Sequence, residues 1–166
     1  PKFAVLDPEL TVGLPPHITS TTGMDALTHA VEAFIGRSNV KSTEDAALKA
    51  TKLIFENIEK VYEDGKNIEA RENMLVASFY AGVAFTRAYV GYVHAIAHNL
   101  GGMYGIPHGL ANAVILPYIL EFFGDSAHHR LAILADVAGI TEGLTTEKEK
   151  AEKFIEAIKE KKKKMN

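Results

Sequence analysis

Side chains four residues apart on a helix share a face, about 5 to 6 Å from each other. This chain carries two such pairs of metal-ligating types, Asp25 with His29 and His94 with His98. Both lie in otherwise apolar surroundings, within Gly-Met-Asp-Ala-Leu-Thr-His-Ala-Val and Gly-Tyr-Val-His-Ala-Ile-Ala-His-Asn-Leu-Gly. Buried polar groups must find partners, and a shared cation satisfies several at once. His108 adds a third element, between Pro107 and Gly109 at a helix start, where a turn can aim its ring inward. One carboxylate and three imidazoles, all on helices, make a coherent site. Such a set is too hard for copper(I) and too rich in nitrogen for calcium or magnesium, which leaves iron(II), zinc, cobalt, nickel or manganese. With four protein ligands a further position must stay open for substrate, which suits a metal tolerant of five-coordination.

Composition narrows the alternatives. No cysteine is present, which excludes disulfides, zinc-thiolate sites, iron–sulfur clusters and a thiol nucleophile. A net charge of −3 gives no wholesale attraction for nucleic acid. The Lys161 to Lys164 run reads as solvated lysines complementing a helix C-terminus rather than a nucleic-acid or membrane patch. No signal pattern opens the sequence, and no apolar run approaches the roughly 20 residues of a membrane helix. The expectation is a soluble, cytoplasmic protein. A length of 166 residues suits one ordinary domain.

The elements that must hold these residues read as helical from Ser20 onward. Lys2 to Leu6 is a short apolar run suited to a strand, but a lone strand needs a sheet the sequence does not supply. Gly13, Pro15 and Pro16 favour extended or turn backbone before the first helix. Thr21 or Thr22 is expected to cap that helix, which runs to about Phe34 and ends at Gly36. Ser42 and Asp45 open a second, amphipathic surface helix with Ala47, Ala50, Ile54, Ile58 and Val61 at spacings of three and four. A third, from about Asn67 to Tyr89, is apolar nearly all round from Met74 to Phe85, the pattern of a central buried helix. A helix from Tyr92 to Leu100 is expected to break at Gly101-Gly102. Further helices follow near Pro107-His108 to Leu120, Ala127 to Val137, and Thr146 to about Lys164, the last apolar only at Ala151, Phe154, Ile155, Ala157 and Ile158. His17, His128 and His129 carry no assigned role, and Asp7 and Asp125 read as turn or cap residues.

The stretches Thr-Thr-Gly-Met-Asp-Ala-Leu-Thr-His-Ala-Val-Glu from Thr21 and Gly-Tyr-Val-His-Ala-Ile-Ala-His-Asn-Leu-Gly-Gly from Gly91, continuing through Ile106-Pro107-His108-Gly109-Leu110-Ala111-Asn112-Ala113, closely resemble signatures of the iron-containing alcohol dehydrogenases. The fourteen-residue gap from His94 to His108 and the Asp-Pro-Glu-Leu-Thr opening at Asp7 agree. The resemblance is strong from Lys2 to about Phe123 and thin beyond. It implies Asp25, His29, His94 and His108 as metal ligands, His98 as a non-ligand facing nicotinamide and substrate, and Phe85 as a wall of the substrate pocket. It implies Fe2+, with Zn2+ as the alternative, and NAD(P) in the full-length enzyme.

The implied fold is all-α, a multi-helix bundle like the C-terminal domain of dehydroquinate synthases, with a short N-terminal strand left from a missing α/β dinucleotide-binding domain. Family members are more than twice this long and begin with that domain, whose Gly-rich turn cradles the cofactor. Gly101, Gly102 and Gly105 follow a helix rather than a strand and do not replace it. Residues 1–19 then read as remnant strand and linker and residues 20–166 as the helical metal-binding domain, truncated at its C-terminus and inactive alone. The implied function is interconversion of small alcohols with aldehydes or ketones, with a homo-oligomer expected at full length. Alternatives are a zinc-dependent glycerol dehydrogenase, which uses one Asp and two His, a dehydroquinate synthase-like enzyme, and a non-catalytic helical module. A hydrolase would want a His-Glu-x-x-His motif, which is absent. Glu32 suggests half of a carboxylate di-iron site, but no matching motif accompanies it.

Overall fold

The computed structural model describes residues 2–165, and among these every regular element is helical. Seven α-helices follow one another: α1 (Pro16–Ile35), α2 (Lys41–Glu63), α3 (Ile68–Ala88), α4 (Tyr92–Tyr104), α5 (His108–Phe123), α6 (His128–Val137) and α7 (Glu147–Lys164), with 3-10 turns at Pro8–Thr11 and Gly124–Ser126. The apolar run Lys2 to Leu6 forms no strand, because no second strand is present among the described residues to pair with it. Asp7 caps the turn after it by accepting from the Glu9 N–H.

Helix α1 starts earlier than its threonines suggest. Pro16 occupies the first turn, where its missing N–H and fixed φ cost nothing. Thr21 and Thr22 lie inside the helix and donate to the carbonyls of His17 and Ile18, each at 2.7 Å. The chain then packs around α1, whose Leu27, Ala30, Val31 and Ala33 are wholly buried and which touches α2, α3, α5 and α6. The central place expected of α3 thus belongs to α1. Beyond Ala70 and Arg71 in its first turn, helix α3 buries the small-residue stripe Ala77, Ala81, Ala84 and Ala88, which lets it lie close, and leaves Phe79 and Val83 on the outside.

The expected apolar face of α2 is buried in full, but its start is closed by Thr43, whose hydroxyl accepts from the Val40 N–H, rather than by Ser42. Helix α4 runs through Gly101 and Gly102 and stops at Gly105, which has φ +68, the left-handed turn glycine adopts without penalty. A second layer comes from α6 and α7. All five apolar residues anticipated on α7 are buried, and Thr146 and Glu149 close its start as a reciprocal capping box. Lys161 is not merely solvated: it is largely buried and donates to Glu59 and to the Phe55 carbonyl on α2. Among the described residues no single helix is long and apolar enough to cross a membrane.

Candidate metal centre

Three helix segments converge on one point. Asp25 and His29 project from one face of α1, His94 stands in the first turn of α4, and His108 is the first residue of α5. One ligand-type atom from each of these four side chains lies within 4.8 Å of the others. Asp25 Oδ1 is 3.7 Å from His94 Nε2 and 3.4 Å from His108 Nε2, while Asp25 Oδ2 is 3.8 Å from His29 Nδ1. The junction of α1 and α5 is held close by Gly109, where a Cβ would meet the Thr21 carbonyl oxygen at 2.5 Å.

The donors fit a cation. His94 Nε2 is buried without a hydrogen-bond partner, whereas the opposite ring nitrogen, Nδ1, sits 2.6 Å from Glu32 Oε2. A buried polar atom left unpaired costs about 1 to 3 kcal/mol, and Nε2 faces the space shared with Asp25 and His108. Distances of 3.4 to 3.8 Å exceed a hydrogen bond but suit atoms that share a metal with bonds near 2.0 to 2.2 Å. One side is accessible, since the His108 side chain is 41% exposed against 2% for His94.

The titratable groups of the centre are strongly perturbed by one another. Burial works against a charged His94, but the Asp25 and Glu32 carboxylates on either side of its ring prevail and push it up to about 9. His29 is pulled down to about 4 by burial and by its proximity to His94. Burial would raise Asp25, yet His94, Asn112 and the neighbouring histidines hold its carboxyl below the usual range. The site therefore contains both carboxylate charge and a neutral imidazole.

All five histidine and aspartate positions singled out in the sequence meet here. His98, exposed on α4, stacks on His108 with ring centroids 5.1 Å apart and lies beside the four-residue cluster rather than in it. Phe85 stacks on His29 at 4.2 Å and forms a wall. Sequence reasoning missed two participants. Asn112, one turn after His108, donates to Asp25 Oδ1, and its spacing of four from His108 was the available signal. Glu32, three residues after His29, is buried and accepts from the N–H groups of Gly91 and Val93 as well as facing His94.

Comparison with known proteins bears on what this centre belongs to. The model of the Fe-containing alcohol dehydrogenase family, C-terminal, matches residues 19–166. The 1,3-propanediol dehydrogenase of Klebsiella pneumoniae is 47% identical over 160 residues, which is 95% of this chain and 41% of that protein. The NADPH-dependent butanol dehydrogenase of Clostridium saccharobutylicum is 42% identical over 165 residues, 99% of this chain and 42% of that protein. The solved structure of an iron-containing alcohol dehydrogenase from Thermococcus thioreducens aligns with a TM-score of 0.85 at 33% identity, covering 98% of this chain and 40% of that one. The chain thus spans about two fifths of the length of the relatives it matches.

Proposed function

The chain belongs to the iron-containing alcohol dehydrogenase family, and from that premise we propose that the helical bundle from α1 onward is the metal-binding catalytic domain of an NAD(P)-dependent dehydrogenase acting on small alcohols and their aldehydes or ketones. The observation that carries this reading is the cluster of Asp25, His29, His94 and His108 around the unpartnered, buried His94 Nε2. In this proposal those four side chains hold the metal, iron(II) with zinc as the alternative, and the residues ahead of α1, which starts at Pro16 rather than Ser20, are a linker from a dinucleotide-binding domain. A bound metal supplies Lewis acidity at the alcohol or carbonyl oxygen, and a bound nicotinamide supplies the hydride acceptor or donor.

The chain's own residues set the stage for that chemistry. The accessible side at His108 admits substrate, and Phe85, packed on His29, walls the site and keeps water from one flank. In this reading His98, stacked on His108, takes the hydroxyl proton during alcohol oxidation and returns it during carbonyl reduction. Asn112 steadies the Asp25 carboxylate.

The test is metal content, measured by mass spectrometry on chain purified without chelator or nickel affinity, for wild type, His94→Ala and His108→Ala. Near-stoichiometric iron or zinc in wild type, lost in both variants, is the expected result. Absence of metal from wild type after anaerobic loading with iron(II) and zinc, or full retention in both variants, overturns the ligand assignment.

A further inference from the structure

We propose that Glu32 is a positioning residue that aims His94 at the metal while capping the helix that carries it. The inference rests on the reading of His94 as a ligand.

Gly91, the residue before α4, has no side chain to cap that helix, and the first turn of any helix leaves N–H groups unpaired. Glu32, from α1 and 4% exposed, supplies the missing acceptors. Its Oε1 accepts from the Val93 N–H at 2.7 Å, and its Oε2 accepts from the Gly91 N–H at 2.9 Å and more weakly from the His94 N–H at 3.4 Å. The same Oε2 lies 2.6 Å from His94 Nδ1. An ionised carboxylate only accepts, so it holds a ring proton on Nδ1 and leaves Nε2, turned toward Asp25 and His108, as the nitrogen that gives up its proton to a metal. Carboxylate partners of this kind fix the tautomer and orientation of ligating histidines, and their loss typically costs 10- to 100-fold in metal affinity.

Both Glu32 oxygens are engaged, which makes the isosteric amide informative. Glutamine offers one acceptor oxygen, so its NH2 must face either His94 Nδ1 or the Val93 N–H. The first arrangement drives the ring proton to Nε2, where a metal needs the lone pair; the second sets donor against donor and pries the first turn of α4 away. Gly91 is tied to the same device, because a Cβ there would stand 2.9 Å from Glu32 Oε1. Gly91→Ala therefore displaces the carboxylate without removing its charge.

The experiment titrates zinc(II) and cobalt(II) into the chelator-treated 166-residue chain in competition with a chromophoric chelator, for wild type, Glu32→Gln and Gly91→Ala. Helical circular dichroism reports folding, and the visible bands of bound cobalt report ligand geometry. Both variants are expected to stay helical and to bind about 10- to 100-fold more weakly, with altered cobalt bands. Should Glu32→Gln fail to fold, Gly91→Ala alone decides the matter. A folded variant with wild-type affinity and unchanged cobalt bands overturns the inference and leaves Glu32 as a helix cap only. A wild-type chain that takes up neither metal overturns the underlying ligand assignment as well, a result distinct from equal binding by wild type and variant.

Discussion

Replacing Gly109 by alanine sets two opposed effects against each other, and the structure says which wins. Alanine within a helix is favoured over glycine by about 0.5 to 1 kcal/mol. At Gly109, however, the added Cβ would lie 2.5 Å from the carbonyl oxygen of Thr21 and 2.8 Å from its carbonyl carbon, atoms of the central helix backbone. Neither can swing aside as a flexible side chain would. Reaching an ordinary contact of 3.4 Å requires a separation of 3.4 minus 2.5, or 0.9 Å, between α5 and α1 at this point. Overpacking of a well-packed junction costs about 1 to 3 kcal/mol, so central values leave a net loss of about 1 kcal/mol after the helix gain. At roughly 2 to 4 °C per kcal/mol for a chain of this size, the thermal midpoint falls by about 2 to 4 °C. The displacement also carries His108, the preceding residue, away from Asp25, and functional geometries tolerate only about 0.5 Å. Metal affinity is therefore expected to fall on the order of 10-fold or more, by analogy with the loss of an orienting partner. The assay pairs thermal melting of the chelator-treated chain with metal competition. Gly82→Ala is the control, since nothing lies within 4 Å of a Cβ at this helical position, and it is expected to stabilise by about 0.5 to 1 kcal/mol. A Gly109→Ala chain that melts as high as Gly82→Ala, with unchanged metal affinity, refutes the reasoning.

Two further outcomes follow from backbone strain and from charge. Tyr89 has φ +66 and ψ −177, a region essentially reserved for glycine that costs other residues about 1 to 3 kcal/mol; its side chain is mostly exposed. Tyr89→Gly is expected to gain about 1 kcal/mol after glycine's larger unfolded-state entropy is deducted, and a lowered denaturation midpoint in urea would contradict this. In the chelator-treated chain His94, raised from 6.5 to about 9, contributes stability that is fully present below pH 6.5 and lost as pH climbs through 9, about 3 kcal/mol in all. His29, lowered to about 4, acts the other way: its contribution is present above pH 6.5 and lost as pH falls toward 4. Together they place a stability maximum near pH 6.5, and melting across pH 4 to 10 should lose its alkaline limb in His94→Gln; an unaltered limb would show that His94 is not the group responsible.

What the sequence disclosed, and what it withheld, follows from the range over which each residue acts. Asp25 and His29 were legible because a spacing of four is a local geometric fact of any helix, and His108 because Pro107 announces the start of α5. The same locality explains the buried face of α2 and the five apolar contacts of α7. Glu32 was not legible as a partner of His94: its acceptors serve residues 91 to 94, which lie about sixty positions away and reach it only once α1 and α4 are packed. Lys161 read as solvated for a similar reason, since Glu59 is on another helix. The exchange of roles between α1 and α3 is more instructive. Hydrophobic periodicity states which faces avoid water, not what covers them, and Met74 to Phe85 looked central because apolar residues occur all round. In the fold its alanines make the contact while Phe79 and Val83 remain exposed. Helix α1, whose polar Asp25, Thr28, His29 and Glu32 make it look less like a core helix, occupies the centre because those groups are paired with one another, with backbone or with facing histidines. A central helix rich in such groups is what a buried polar centre demands, so the feature that disguised α1 in the sequence is the one that places the candidate site at the heart of the fold.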